Sequence, residues 1–276
     1  MSELRKRPDI CYDISMNEDQ RLIRIMEEKA YRSEEESRLT SSFFLDLRQQ
    51  SFLTSYFKNQ PVHPILYGGR PDFERAILLF FPSYLADINT PEEAQEYFQI
   101  NPQENPICLL RVHLSGKQIL SHRDYLGSLM GLGIKREMIG DILPFENGCD
   151  IFILREMETF LSSHYDQAGR ISFITEILDT SEAREPLIQR KEKRDTVASL
   201  RLDNIVSAAF SISRIKAVQA ITENVVFVNG LLVEKPDKLL KPGDKIVLRG
   251  KGKVVLKELG GSTRKGRIPI ILEQFI

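Results

Sequence analysis

SLRLDNIVSAAFSISRIKAVQAITENVVFVNGLLVEKPDKLLKPGDKIVLRGKGK, residues 199–253, contains the helix and turn signals of the carboxyl-terminal third of the chain. Its first half repeats apolar residues at helical spacing, which predicts two consecutive helices. Asn229-Gly230 lies between two apolar runs and both residues tolerate positive φ, so a tight type I′ hairpin is expected. KPGD, residues 241–244, is typical of a type II turn before a strand. The order of these elements predicts a small α+β module.

Polar residues of the two predicted helices indicate where a ligand could bind. In the first helix Arg201 and Asp203 fall outside the apolar set, which would leave Arg201 free for a phosphate. Ser211 or Ser213 can cap the second helix, and Arg214 enters at its first turn. An arginine is less favoured than an acid beside a helix N-terminus, so a bound phosphate sharing this space would explain it.

Cations crowd the rest of this module. Lys216 lies on the polar side of the second predicted helix. The cations around the two turns are Lys235, Lys238, Lys241, Lys245, Arg249, Lys251 and Lys253. A cationic face is therefore expected beside the helix pair.

The charge of the whole chain is divided unevenly. The formal net charge is −1, but residues 1–184 hold 20 Lys and Arg against 29 Asp and Glu, a charge of −9. Residues 185–276 hold 18 against 10, a charge of +8. Because phosphate neutralisation depends on local cation density, this division is typical of a polyanion-binding module attached to an acidic body.

The cysteines and the apolar segments of the sequence indicate the cellular compartment of the protein. Cys11, Cys108 and Cys149 are odd in number and lack a CxxC pair, which argues against a disulfide framework and a cysteine zinc site. The amino terminus has no apolar signal core, and the best apolar run, AILLFFPSYLA, is interrupted at Pro82. The sequence predicts a protein without a membrane span in a reducing compartment, the cytosol or an equivalent lumen.

The first 60 residues have a helical pattern. NEDQRLIRIMEEKAYRSEEESRL and SFFLDLRQQSFLTSYF are candidate helices, so an all-helical cap is expected. The Pro- and Gly-rich loop QPVHPILYGGRPD then marks a boundary, and the helical N-terminal region is placed at residues 1–70.

Strand and helix patterns alternate after this loop. From residue 107 onward they give β-α-β-β-α-β, the order of a ferredoxin-like (RRM-like) sheet, with one additional strand, AILLFF, in front. Residues 71–184 are assigned to this middle domain and residues 190–276 to the C-terminal module with its extension, so the chain is predicted to be α+β. The charged run QRKEKRD between them is expected to be a solvated linker, which could also touch phosphate.

Aromatic residues of the middle domain have two interpretations. Phe152, Phe160 and Phe173 could form a base-stacking platform, as in RNA-binding sheets. The sequence pattern of such platforms is absent, so these residues are expected mainly in the core.

Several motifs of the C-terminal stretch resemble one known domain. RLD, SR followed by KAV, VFVNG, EKP and KPGDKI occur in the order found in the RNA-binding domain named after ribosomal small-subunit protein four, here called the S4 domain. The runs RGKGKVVLKELGGSTRKGRIPI and HRDYLGSLMGLGIKREMIGDIL are similar to the YlmH family of bacterial and plastid proteins. In that family an S4 domain ends a chain with a ferredoxin-like middle domain. The resemblance covers most of residues 75–276 and only weakly the first 60.

The resemblance implies binding to structured RNA, ribosomal or transfer RNA, on a ribosome in the bacterial cytoplasm or the plastid stroma. The residues expected to contact RNA are Arg201, Ser213, Arg214, Lys216, Asn229, Lys235, Lys238 and Lys241. Turn chemistry explains Asn229 equally well, and a solvated helix face is the alternative for Arg214 and Lys216.

An RNA-modifying enzyme is the alternative function, because S4 domains are also appended to pseudouridine synthases, methyltransferases and tyrosyl-tRNA synthetases. RLD at residues 201–203 lacks the glycines and threonine of the synthase motif, and neither a methyltransferase glycine loop nor the synthetase ATP motifs are found. The glycines of RGKGK and LGGSTRKGR do not fit a phosphate-binding loop. We therefore expect a binding protein that is not an enzyme and uses no cofactor or metal. A module that now serves protein contact is a third possibility.

Overall fold

The computed structural model describes residues 17–116, 120–184, 190–261 and 266–275, and it is α+β, as predicted. Within these ranges no helix combines the length and the apolar character needed to cross a membrane. The helices are α1 (Glu18–Glu35), α2 (Leu47–Phe57), α3 (Pro91–Ile100), α4 (His122–Gly131), α5 (Glu158–His164), α6 (Leu202–Phe210) and α7 (Arg214–Thr222). The strands are β1 (Thr40–Ser41), β2 (Ile65–Tyr67), β3 (Ile77–Phe80), β4 (Ile107–Leu114), β5 (Ile139–Phe145), β6 (Gly148–Leu154), β7 (Gln167–Ala168), β8 (Ile171–Leu178), β9 (Arg190–Val197), β10 (Val226–Val228), β11 (Leu231–Leu232), β12 (Lys245–Leu248), β13 (Gly252–Leu259) and β14 (Ile268–Phe275).

The N-terminal unit contains a three-stranded sheet as well as helices. Asn17 and Gln20 form the capping box that begins α1, and the apolar face of α1 packs against α2 and β3. The expectation of an all-helical cap is wrong, because β1 and β2 pair with β3 on its two sides. These strands have two and three residues, which is too short to show the alternating pattern that identifies a strand.

The β2–β3 hairpin crosses residue 70, where the domain boundary was predicted. Strand pairing therefore places β3 with the N-terminal unit, although β3 follows the Pro- and Gly-rich loop that was expected to end this unit. The division into domains stays a prediction, and the hairpin favours a boundary after β3.

The middle domain has the predicted ferredoxin-like arrangement. Its sheet has the order β5-β6-β4-β8-β7, with every neighbouring pair antiparallel. The four main strands thus lie in the order second, third, first and fourth of the β-α-β-β-α-β unit. α4 and α5 cover one face of this sheet. The additional strand predicted in front belongs to the N-terminal sheet.

The other face of the middle sheet packs in part against the N-terminal unit. Phe152 is fully buried in this shared core. Phe44 lies so close to Gly140 that an added Cβ there would be 2.6 Å from the ring, so no larger residue fits. Phe152 and Phe173 are core residues, as predicted, whereas Phe160 is 39% exposed.

A buried ion pair joins two central strands of the middle domain. Arg111 donates from Nε to Oδ1 of Asp150 at 2.7 Å and from Nη2 to Oδ2 at 2.9 Å. Arg111 also donates to the carbonyl oxygen of Glu182 at 2.7 Å, and Asp150 accepts the N–H of Arg184 at 2.8 Å. The pair therefore ties the end of the domain to the middle of its sheet.

The C-terminal domain is a six-stranded sheet of order β11-β10-β12-β13-β14-β9, and α6 and α7 pack against it. The predicted helix pair, hairpin and strand KIVLR are confirmed. Asn229 and Gly230 have φ angles of 53° and 77°, as a type I′ turn requires.

The charged run before the helix pair is not a linker. It forms most of β9, which pairs with β14 from Val197 to Arg190. Lys193 donates to the carbonyl oxygen of Ala208 and to Oγ of Ser211, both at 2.6 Å, at the C-terminal end of α6. This lysine stabilises the carbonyl end of a helix, where a cation is favoured.

The C-terminal domain also contacts the N-terminal unit. β11 lies against α2, Lys245 forms an ion pair with Asp72, and Arg249 forms one with Asp46 at 3.4 Å between Nη2 and Oδ2. Two of the cations that were expected beside the helix pair are therefore neutralised at this contact.

Candidate nucleic-acid interface

The start of α6 and the loop at residues 235–240 meet at one surface of the C-terminal domain. The N–H of Leu202 donates to the carbonyl oxygen of Lys238 at 2.8 Å, which satisfies one of the free donors at the start of α6. Arg201 and Leu239 form an isolated antiparallel bridge. The loop is therefore held beside the first turn of α6.

Asp203 holds two arginines together, which we call the arginine pair, Arg201 and Arg214. Its side chain is 2% exposed. Arg201 donates from Nε to Oδ1 at 3.1 Å and Arg214 from Nε to Oδ2 at 2.9 Å. The expectation that Arg201 is free is therefore wrong, and Asp203 is buried although it falls outside the apolar set. Both arginines keep an Nη1 amino group without a partner among the described residues, and their side chains are 39% and 56% exposed.

The electrostatics of this cluster follow from its burial and its hydrogen bonds. Burial raises the pKa of the Asp203 carboxyl, but the hydrogen bonds from Arg201 and Arg214 outweigh this effect and hold that pKa below its ordinary value. The carboxylate is thus ionised at neutral pH and balances one of two positive charges. It also supplies a partner for an arginine at the start of α7, so that residue does not by itself require a phosphate.

We expect Asp203→Asn to destabilise the C-terminal domain at neutral pH. Since the folded pKa of Asp203 lies below the unfolded value of about 3.9, its stabilising contribution is present above roughly pH 4 and is lost as the pH falls through the folded pKa. Urea midpoints of the wild type and the variant should therefore differ at neutral pH and converge on acidification. A difference that does not change with pH would show that the charge of Asp203 is unimportant.

Two predicted contact residues have structural partners. Oγ of Ser213 accepts the N–H of Lys216 at 3.3 Å and caps α7. The amide of Asn229 donates to Asp244 and accepts the N–H of Lys245, both at 2.9 Å. Both the NH2 group and the oxygen of the Asn229 side chain therefore have partners at the turn, which agrees with the turn interpretation of this residue.

The predicted lysines lie on the surface. Lys216 is on α7, two residues after Arg214, and the others are in the loop that packs on α6 or directly follow it. The side chains that are exposed and have no partner among the described residues are those of Lys216, Lys235, Lys238 and Lys241.

Residue spacing does not identify Asp203 as an anchor. An acid in the first turn of α6 and an arginine in the first turn of α7 were both visible, but their spacing does not show that the two side chains meet.

Two family models match the chain. The model described as "Putative RNA-binding domain in YlmH" matches residues 101–182, which include the main strands of the middle sheet. The model described as "S4 domain" matches residues 200–246, which include the helix pair, the hairpin and the arginine pair. The chain thus carries domains of two RNA-binding families.

Two named proteins are similar to the chain. "Ribosome-associated protein quality control protein P2" of Bacillus subtilis (strain 168) is 30% identical over 242 residues, which are 87% of this chain and 89% of the relative. The solved structure "Cell division protein ylmH from Streptococcus pneumoniae" is 20% identical, with a TM-score of 0.47, and the match covers 63% of this chain and 99% of that one. On the identity and coverage of the Bacillus relative, this chain belongs to the YlmH family.

Proposed function

We propose that this protein binds structured ribosomal or transfer RNA on the ribosome through its S4 domain, without performing chemistry. The observation that carries the proposal is the arginine pair anchored on buried Asp203 beside exposed lysines. The residues proposed to contact RNA phosphates are Arg201, Arg214, Lys216, Lys235, Lys238 and Lys241. Ser213 and Asn229 are proposed to shape this surface.

The arrangement suits phosphate recognition for a physical reason. A guanidinium presents its N–H donors in a planar fork that matches two phosphate oxygens. Asp203 accepts from the Nε and Nη2 side of both guanidinium groups and fixes their position, which leaves the Nη1 amino groups for phosphate. Less side-chain freedom is therefore lost when RNA binds than for unanchored arginines. The lysines add charge that needs no fixed geometry.

In the middle domain, the sheet face that RRM domains use to bind RNA is covered at Phe152. Phe152 lies on the sheet face that RRM domains use for base stacking, but here it is covered by the N-terminal unit. We therefore assign the main RNA contact to the S4 domain, which lies within the positively charged residues 185–276.

The described cysteines, Cys108 and Cys149, are buried. Desolvation raises the pKa of Cys108 to about 12 and raises the pKa of Cys149 as well, so both stay as thiols at neutral pH. Neither is suited to act as a nucleophile. An RNA-modifying enzyme remains the alternative that the experiment below addresses.

The ribosome enters the proposal through the Bacillus relative, whose name includes ribosome association. We extend this association to the present chain, together with a location in the bacterial cytoplasm or plastid stroma. The charge division supports it, because a cationic module on an acidic body is attracted locally to a polyanion.

Cross-linking in cells, followed by sequencing of the attached RNA, tests the proposal. We expect enrichment of ribosomal and transfer RNA over messenger RNA. Incubation of the purified chain with bulk RNA and candidate cofactors, followed by nucleoside analysis, should show no modified base. Absence of ribosomal and transfer RNA from the cross-linked pool would refute the RNA assignment, and a new nucleoside would refute the non-enzymatic one.

A further inference from the structure

We propose that the arginine pair and two neighbouring aliphatic side chains, Ile215 and Leu239, together bind one unpaired nucleotide of the RNA. The phosphate would lie on the arginine pair and the base on the aliphatic side chains. This inference rests on the proposed function and narrows it to RNA with a nucleotide displaced from its stack.

The first observation is the exposure of these two side chains. Ile215 is 81% exposed and Leu239 is 71% exposed, among the highest values of any large apolar residue in the described ranges. Other apolar residues of the same elements, such as Ile221 and Leu240, are buried in the core of the domain. A single exposed aliphatic side chain needs no explanation, so the argument depends on where these two lie.

Their positions flank the arginine pair. Leu239 is paired with Arg201 in an antiparallel bridge, and paired residues of such a bridge direct their side chains to the same side. Ile215 directly follows Arg214, whose guanidinium shares the Asp203 carboxylate with that of Arg201. Leu239 therefore lies on the same side as Arg201, and Ile215 lies in the same helical turn as Arg214.

The residues next to Ile215 and Leu239 indicate what kind of ligand could bind there. An apolar protein surface would be expected to contact aliphatic side chains among neutral neighbours. Here Ile215 lies between Arg214 and Lys216 in sequence, and Leu239 follows Lys238 and is paired with Arg201. A nucleotide matches both parts, because it has an anionic phosphate and a flat base with apolar faces. In a paired helix those faces are stacked, so only an unpaired nucleotide can offer one to Ile215 or Leu239.

A pair of RNA duplexes tests this inference with the full chain. One duplex is fully paired, and the other carries a single bulged nucleotide. We expect the wild type to prefer the bulged duplex by about five- to tenfold, from burial of the apolar surface of one base. Ile215→Ser with Leu239→Ser should bring this preference close to one while the salt dependence stays unchanged, because the phosphate contacts remain.

Ile100→Ser is the matched control, since Ile100 is 80% exposed and lies on α3 in the N-terminal part of the chain. It should keep the preference for the bulged duplex. Equal wild-type affinity for both duplexes, or a preference that survives the Ile215 and Leu239 changes, overturns this inference and leaves the proposed function standing. Absence of salt-dependent binding to either duplex or to ribosomal RNA would instead overturn the proposed function.

Discussion

Arg201→Gln and Arg214→Gln, made together with Asp203→Asn, are expected to weaken RNA binding on the order of 10²-fold at ~0.15 M salt, because two charged contacts to phosphate are lost. The change at Asp203 avoids leaving a buried carboxylate without a partner. The slope of log affinity against log salt should become shallower by about 1 to 2, since fewer counterions are released from the RNA. Titrations of ribosomal and transfer RNA over a range of KCl concentrations measure both effects.

Two controls separate charge from geometry. Arg32→Gln with Arg38→Gln removes two exposed arginines in the N-terminal unit and should leave the salt slope unchanged. Arg201→Lys with Arg214→Lys should keep the slope but lose affinity, because lysine carries the charge without the planar fork. If the triple variant keeps its circular dichroism spectrum and still binds RNA with the wild-type slope, the arginine pair does not contact phosphate.

Asp150→Ala is expected to lower the free energy of unfolding of the middle domain by about 3–5 kcal/mol, because it leaves the buried Arg111 guanidinium without its counter-ion. This is a large part of the stability of an ordinary domain, which is about 5–15 kcal/mol. The chain has no tryptophan, so circular dichroism in urea reports the transition. Hydrogen exchange at amides of β4 and β6 shows whether the destabilisation lies in the middle domain.

The matched comparison is Arg111→Met with Asp150→Leu. Replacing both ions with apolar residues of similar volume removes the uncompensated charge, so we expect most of the stability to return. A double variant as unstable as Asp150→Ala would mean that the backbone contacts to Glu182 and Arg184 matter more than the charges. RNA binding through the S4 domain should change little in either variant while the C-terminal domain stays folded.

Several elements could be predicted from sequence because their signals are local. Helices α6 and α7 follow from apolar residues at helical spacing, and the β10–β11 hairpin follows from Asn229-Gly230, whose φ angles are positive. The ferredoxin-like order of the middle domain follows from long strands alternating with helices. Each of these signals lies in consecutive residues of the chain, so no knowledge of a distant segment is needed.

Other elements could not be predicted because their stability comes from distant segments. β9 has the composition of a linker, yet it is a strand because β14 pairs with it along its length. β1 and β2 are too short for a pattern and exist through pairing with β3. Lys245 and Arg249 have the same local signal as the exposed lysines, but carboxylates of the N-terminal unit neutralise them.

The amino-acid sequence is enough to establish the class of fold, the order of the main elements in the middle and C-terminal domains, the charge division and the resemblance to the YlmH family. The available cations are known only from the packed chain, because their pairing depends on which carboxylates the fold brings beside them. Asp203 is the clearest case, since an acidic residue in a first helical turn is normally solvated, and burial beside two arginines makes it an anchor. Burial and ion pairing depend on how the chain packs, so they cannot be predicted from residue spacing alone.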